Sequence, residues 1–245
     1  MAAFVASGRR EPVDLAPTWT REPAILLARQ VVQEGVLLPA MRLVGALRVG
    51  GRERLEGLQP PLIIVANHSS HADVVALREA APRAWRHDLV AAAAADYFFD
   101  GGARMVLSSL AFNTLPLERV DSPLRSMRTA IRVLRGGAAL IVFPEGGRLD
   151  GDVALREFAP GVGFLARKAQ VPVVPVCIWG THAMLPKGRR LARKADVSVQ
   201  FGAPLRIRDG EKAQEFTDRA RAAVSAAAVE IGAWPLVYGG TTPPA

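Results

Sequence analysis

The sequence is poor in residues that several common chemistries require: one cysteine, four histidines, two tyrosines and 6% aromatics in 245 residues. A single cysteine excludes an intrachain disulfide framework and a multi-cysteine metal site. Cys177 lies in the apolar run Val171-Pro172-Val173-Val174-Pro175-Val176-Cys177-Ile178 and is expected to be a buried small hydrophobe, compatible with a reducing cytoplasm. The scattered aromatics are too few for the stacking platforms that hold single-stranded nucleic acid, and no zinc-finger or sheet-type RNA-binding motif is present. No Gly-x-Ser-x-Gly elbow occurs, so a serine hydrolase would lack its nucleophile turn. The longest stretch without Asp, Glu, Lys or Arg runs from Ala169 to Pro186, and Pro172, Pro175 and Pro186 interrupt it. It reads as a strand and a loop rather than the ~20 apolar residues of a membrane-spanning helix. Residues 1–20 lack the continuous apolar core and small-residue cleavage site of a secretory signal. The expectation is a protein that is soluble or lies on a membrane without crossing it.

What the sequence does have is a hydrophobic half and a formal charge of +8. A sizeable core is possible, and anionic partners such as lipid headgroups or phosphate-bearing substrates fit the charge. Residues 1–20 read as a loose arm, 21–47 as a helical segment broken near Gly35 or Pro39, 48–235 as one domain and 236–245 as a flexible Gly/Pro tail. Within the domain, apolar runs at 62–66, 89–93, 114–118, 138–143, 171–178 and 197–201 read as strands. Helical patterns fall at 73–81, 98–112, 123–134, 161–169 and 212–231. This alternation predicts a single α/β domain with a mostly parallel sheet flanked by helices, preceded by the N-terminal helical segment. Ligands of such sheets gather at the carboxyl ends of strands.

Two motifs fall at such ends. Asn67-His68-Ser69-Ser70-His71-Ala72-Asp73 follows the run 62–66, and Phe143-Pro144-Glu145-Gly146-Gly147-Arg148 follows 138–143. An Asp73 carboxylate curling back to one His68 nitrogen would fix the imidazole tautomer and leave the other nitrogen as a base. With no serine or cysteine nucleophile motif, the proton would come from an acceptor alcohol. Backbone N–H groups at the start of the following helix are candidate oxyanion donors. Taken alone, the pair also fits a helix-capping histidine beside a solvated aspartate. His68-x-x-His71-x-Asp73 is only a partial metal ligand set, with His87 and His182 the remaining histidines. Glu145 to Arg148 combine exposed backbone amides with an arginine that can fork onto phosphate, and these are equally common turn residues.

Four blocks in order carry a resemblance: Asn67-His68-x4-Asp73, Leu117-Glu118-Arg119, Phe143-Pro144-Glu145-Gly146-Gly147-Arg148 and Val171-Pro172-Val173-Val174-Pro175-Val176. Together, over about residues 45–208, they resemble the glycerolipid acyltransferase family typified by lysophosphatidate acyltransferase. The resemblance implies His68 as general base with Asp73 as its partner. It implies Arg119 on the acceptor's phosphate or headgroup, and Glu145, Gly146, Gly147 and Arg148 around the acceptor. It implies a fatty acyl thioester of coenzyme A or acyl-carrier protein as donor, a lysophospholipid such as 1-acylglycerol-3-phosphate as acceptor, and no metal or organic cofactor. Gly147 and Leu149 stand where the family often has threonine and serine, and Ala91 to Ala95 lack a lysine that many members with phosphorylated acceptors carry. A lyso-lipid without the phosphate is therefore an alternative acceptor, and a non-catalytic lipid- or carrier-binding module is the alternative from another class.

Amphiphilic substrates imply a place on the cytoplasmic membrane face. Ala24 to Leu47 carries only Arg29, Glu34 and Arg42 as charges. It reads either as an interfacial anchor or as a helix hairpin packed on the domain. Lys187, Arg189, Arg190, Arg193 and Lys194 form a basic cluster, and Arg125, Arg128, Arg132 and Arg135 share one helix face. Each could meet anionic partners or simply be solvated.

Overall fold

The computed structural model describes residues 22–94, 109–117, 123–148, 154–189 and 191–239. Among them, seven strands form one sheet in the order β1-β7-β6-β2-β5-β3-β4. The strands are β1 (Leu47–Gly50), β2 (Leu62–Ala66), β3 (Leu89–Ala94), β4 (Thr114–Leu117), β5 (Ala139–Val142), β6 (Val173–Trp179) and β7 (Val197–Phe201). Every pairing is parallel except β6 with β7. The predicted α/β architecture with a mostly parallel sheet is thus the observed one.

The central strands are apolar throughout because both of their faces are covered. On one face Leu62, Ile64, Ala66 and Ile141 pack with Leu77 and Trp85 around the helix α2 (Ala72–Ala80). On the other, Ile63, Val65 and Leu140 pack with Leu134, Leu165, Phe216 and Val224. These last four belong to α3 (Pro123–Arg135), α4 (Gly161–Ala169) and α6 (Ala213–Glu230). A short helix, α5 (Thr181–Met184), follows β6. Pro175 tolerates its place inside β6 because its carbonyl accepts from Gly202 N (2.8 Å) where β7 has ended. A residue's N–H and C=O share one side of a strand, so the missing donor faces that break and costs β2 nothing.

Three expectations are corrected. The N-terminal segment is one unbroken helix, α1 (Pro23–Val44), not a pair broken at Gly35 or Pro39. Val31–Leu37 is π-helical, and Leu38 N–H reaches back five residues to the Gln33 carbonyl. The wider turn carries the chain past Gly35 and the amide-less Pro39, and it sets burial at Arg29, Gln33, Leu38 and Met41, with a step of five where an α-helix allows three or four. By length and composition α1 could cross a membrane: it has 22 residues, and an 18-residue window of it has mean hydropathy 1.3 and is 22% buried. The sequence reading missed it by treating Gly35 and Pro39 as breaks. Second, Leu47–Gly50 forms the edge strand β1, in register with Val197 to Gln200 of β7. Third, residues 236–239, read as tail, belong with α7 (Trp234–Tyr238), whose Leu236 is buried and whose carbonyl accepts from Leu155 N (2.8 Å). Of the helix read at 98–112, residues 109–112 are helical and the rest lies outside the described residues, as do residues 1–20.

Candidate active site

β2 lies between β5 and β6, parallel to both, so the segments that leave the carboxyl ends of all three strands meet. After Ala66 the backbone turns away from the sheet, but the ladder continues through a side chain. Buried Asn67 donates from Nδ2 to the Ile178 carbonyl and accepts Ile178 N–H at Oδ1, both at 2.8 Å. The amide side chain stands in for the next peptide of β2 and fixes where the following residue starts.

That residue is His68. Its Nδ1 lies 2.8 Å from Asp73 Oδ2, and its ring stacks on Phe143 with centroids 4.1 Å apart. Asp73 is in the first turn of α2 and has no solvent exposure. Its Oδ2 also accepts N–H of Ser69 (2.7 Å) and Ser70 (2.9 Å), while its Oδ1 accepts the Thr181 hydroxyl from the start of α5. All four bonds run toward the carboxylate, as an acceptor-only group requires. With Nδ1 carrying the proton toward Asp73, Nε2 is left with its lone pair, and it has no hydrogen-bond partner among the described residues.

Glu145 is turned inward. Its Oε1 accepts His68 N–H (3.0 Å) and its Oε2 accepts Arg156 N–H (3.3 Å). Burial raises its pKa above the ordinary carboxylate value, and the two backbone N–H groups oppose that shift. In the structure, Glu145 therefore joins the segment after β2 to the segment before α4. Gly146 beside it has φ +73° and is exposed, with open space where a Cβ would be. Gly147 continues the turn, and Arg148 lies close enough to His71 for its charge to act on that imidazole. Arg119, Leu149 and Arg190 lie outside the described residues.

The side chains closest in sequence to His68 are not poised as nucleophiles. Ser69 Oγ lies 3.0 Å from Thr181 Oγ1, and Ser70 Oγ donates to the Leu185 carbonyl (2.7 Å) while accepting Ala72 N–H (3.1 Å). Cys177 is fully buried, and burial raises its thiol pKa, with Asp73 and Glu145 adding to the shift. Of the backbone N–H groups around the helix start, five are already engaged. The N–H of His68 goes to Glu145, those of Ser69 and Ser70 to Asp73, that of Ala72 to Ser70 Oγ and that of Asp73 to the Ser70 carbonyl. Among the described residues no three of His, Cys, Asp and Glu converge as a metal site requires.

Sequence reasoning missed Thr181. Its partner Asp73 is 108 positions away, and a threonine after a glycine carries no local signal. Gly180 is the one hint: its φ is +90°, and a Cβ there would sit 2.1 Å from the Asp196 carbonyl oxygen. The turn that aims Thr181 at Asp73 has room only for glycine.

A family model described as Acyltransferase matches residues 46–179. The 1-acyl-sn-glycerol-3-phosphate acyltransferase BAT2 of Brassica napus chloroplasts is 27% identical over 71% of this chain and 48% of its own length. LPAT1, the corresponding chloroplast protein of Arabidopsis thaliana, is 25% identical over 73% of this chain and 48% of its own length. The chain thus spans about half the length of these curated relatives. The crystal structure of the 1-acyl-sn-glycerophosphate acyltransferase PlsC of Thermotoga maritima superposes with a TM-score of 0.64 at 23% identity, over 84% of this chain and 80% of that one.

His71 gives the site a testable pH dependence. Burial first, then the charges of Arg148 and His68, lowers its pKa from 6.5 to about 4. The folded state prefers the neutral ring, so His71's contribution to stability is whole above pH 6.5 and is lost as pH falls toward 4. In urea unfolding across that range, the protein is expected to lose stability relative to a His71→Asn variant. Parallel curves would show that His71 titrates no differently in the two states.

Proposed function

The chain belongs to the Acyltransferase family, and from that premise we propose that it moves a fatty acyl chain from a thioester to the free hydroxyl of a lysophospholipid, with 1-acylglycerol-3-phosphate as first acceptor. The observation that supports this reading is the Nε2 of His68, unengaged among the described residues, beside a fully bonded Asp73, with the hydroxyls of Ser69 and Ser70 already committed elsewhere. A base without a protein nucleophile suits direct attack by a substrate alcohol.

In the reaction so drawn, Nε2 takes the acceptor's hydroxyl proton as that oxygen attacks the thioester carbonyl. The tetrahedral intermediate collapses, the C–S bond breaks, and the leaving thiolate takes the proton back from the imidazolium. Asp73 keeps the ring in one tautomer and balances its transient positive charge. General-base help of this kind is worth roughly 10²–10⁴-fold. Arg148 and Arg119 would meet the acceptor's phosphate, and the open turn at Gly146 and Gly147 would let a headgroup approach the backbone. The donor is a thioester of coenzyme A or acyl-carrier protein, and the reaction as drawn requires no metal or organic cofactor.

The same proposal places the protein on the cytoplasmic face of a membrane. Part of α1 reverses the usual polarity, beside exposed Gln30, Glu34 and Arg42. Arg29 (8% exposed) and Gln33 (4%) turn inward, donating to the carbonyls of Ser109 and Ala111 at 3.2 Å, while Leu27 (63%) and Leu43 (80%) face outward. An apolar outer face of this kind fits the boundary between headgroups and acyl chains. The exposed Lys187, Arg189, Leu191, Arg193 and Lys194 precede Ala195, whose N–H bonds the Val44 carbonyl at the end of α1 (3.2 Å). Cationic and apolar surfaces are thus contiguous, as an anionic membrane would select.

Purified protein and acyl-CoA are expected to release thiol only when lysophosphatidate is present, and His68→Ala should lower that rate by at least about 10²-fold. Release only with a lyso-lipid lacking the phosphate would move the acceptor to the alternative. A blank with acyl-CoA and with acyl-carrier-protein donors would leave the non-catalytic lipid-binding module. In flotation with anionic vesicles, the wild-type chain should float and Leu27→Glu/Leu43→Glu should remain in the soluble fraction. Equal flotation of the two would remove α1 from the membrane contact.

A further inference from the structure

We propose that Thr181 is a positioning residue of the acyl-transfer site, whose hydroxyl sets how strongly Asp73 holds the His68 proton; this rests on the proposed base role of His68. Thr181 is fully buried at the end of β6, in the first position of α5. Its hydroxyl has one proton, and that proton is directed at Asp73 Oδ1. Ser69 Oγ, 3.0 Å from Thr181 Oγ1, therefore donates to it. The result is a chain from Ser69 through Thr181 and Asp73 to His68, and successive hydrogen bonds along such a chain polarise one another.

The position of Thr181 is built rather than incidental. Gly180 supplies the left-handed turn against the Asp196 carbonyl, and the Asn67–Ile178 pairing locks β6 to the segment that carries His68. Other bonds to Asp73 come from its own loop, through Ser69 N, Ser70 N and the His68 ring. Among the described residues Thr181 is the donor from outside that loop, and it alone among these donors engages Oδ1.

The direction of its effect follows from the charge. Removing a donor from a buried carboxylate makes that carboxylate attract the remaining proton on His68 more strongly. The imidazolium then persists to higher pH, and less free base is present at neutral pH. Other ionisable groups around the pair are His71 at the start of α2, Glu145 on the His68 amide and Cys177 in β6, with Arg148 acting on His71 and Arg156 on Glu145. A Thr181→Val substitution leaves all of them in place.

Two readouts test the role: the pH profile of acceptor-dependent thiol release, and the titration of the His68 ring followed by imidazole ¹⁵N NMR without substrate. In Thr181→Val, both are expected to move to higher pH by about half a unit, with kcat down by at most about threefold at neutral pH and KM for acceptor unchanged. Thr181→Ser should restore both. Ser69→Ala, which leaves every bond to Asp73 in place but frees the Thr181 hydroxyl to rotate, should give a smaller shift in the same direction and serves if the valine variant does not fold. An unmoved His68 titration in a folded Thr181→Val or Ser69→Ala protein would overturn the proposal, as would failure of serine to restore it. If the wild-type chain releases no thiol, the acyl-transfer reading falls, while the NMR titration still decides whether Thr181 governs His68.

Discussion

Asp73 is a carboxylate with no access to water, and much of the surrounding structure supplies the donors it needs. Burying an unpaired carboxylate costs many kcal/mol, so such a group persists only when its lone pairs are met. Here two backbone amides, one hydroxyl and one imidazole meet them. To bring the amides of Ser69 and Ser70 onto one oxygen, the segment between β2 and α2 must wrap around the carboxylate. That wrapping is what presents the His68 ring with one nitrogen inward and one outward. The same two amides are thereby withheld from any oxyanion, so one constraint both orients the base and commits these donors.

The sheet order makes this arrangement possible. Because β2 has β5 on one side and β6 on the other, Glu145 reaches the His68 amide from one flank and Thr181 reaches Asp73 from the other. Asn67 extends the β2–β6 ladder by one side chain, so the point at which the chain leaves the sheet is fixed by two hydrogen bonds. Each is worth about 1 kcal/mol net, and each would cost about 1–3 kcal/mol if its buried partner were left unpaired. The base is thus held from three strand ends, which is the kind of support a reacting group needs to stay within a fraction of an ångström of its working geometry.

The parts of this fold legible in the sequence were those with a short-range physical cause. The runs at 62–66, 138–143 and 171–178 read as strands because a doubly covered strand must be apolar at every position. The two motifs at their carboxyl ends followed, and the parallel architecture came from their alternation with helices. What escaped notice has long-range causes. Leu47–Gly50 is a four-residue edge strand with Arg48 in it, and only its register with β7 makes it one. The π-turn in α1 breaks the usual helical spacing, and its inward Arg29 and Gln33 invert the rule that polar residues face water. The inward turn of Glu145 depends on amides at His68 and Arg156, which no spacing reveals. Thr181 is meaningful only through a carboxylate 108 residues away.

The central claim is that His68 and Asp73 act as one unit in acyl transfer, and a double-mutant cycle on thiol release measures it most directly. Groups that act as a unit are strongly non-additive: once one is gone, losing the other changes little. The account predicts that Asp73→Asn alone lowers kcat by about 10²-fold or more, and that His68→Ala/Asp73→Asn is no slower than His68→Ala. Losses that multiply in the double variant, or an Asp73→Asn protein with wild-type turnover, would contradict it.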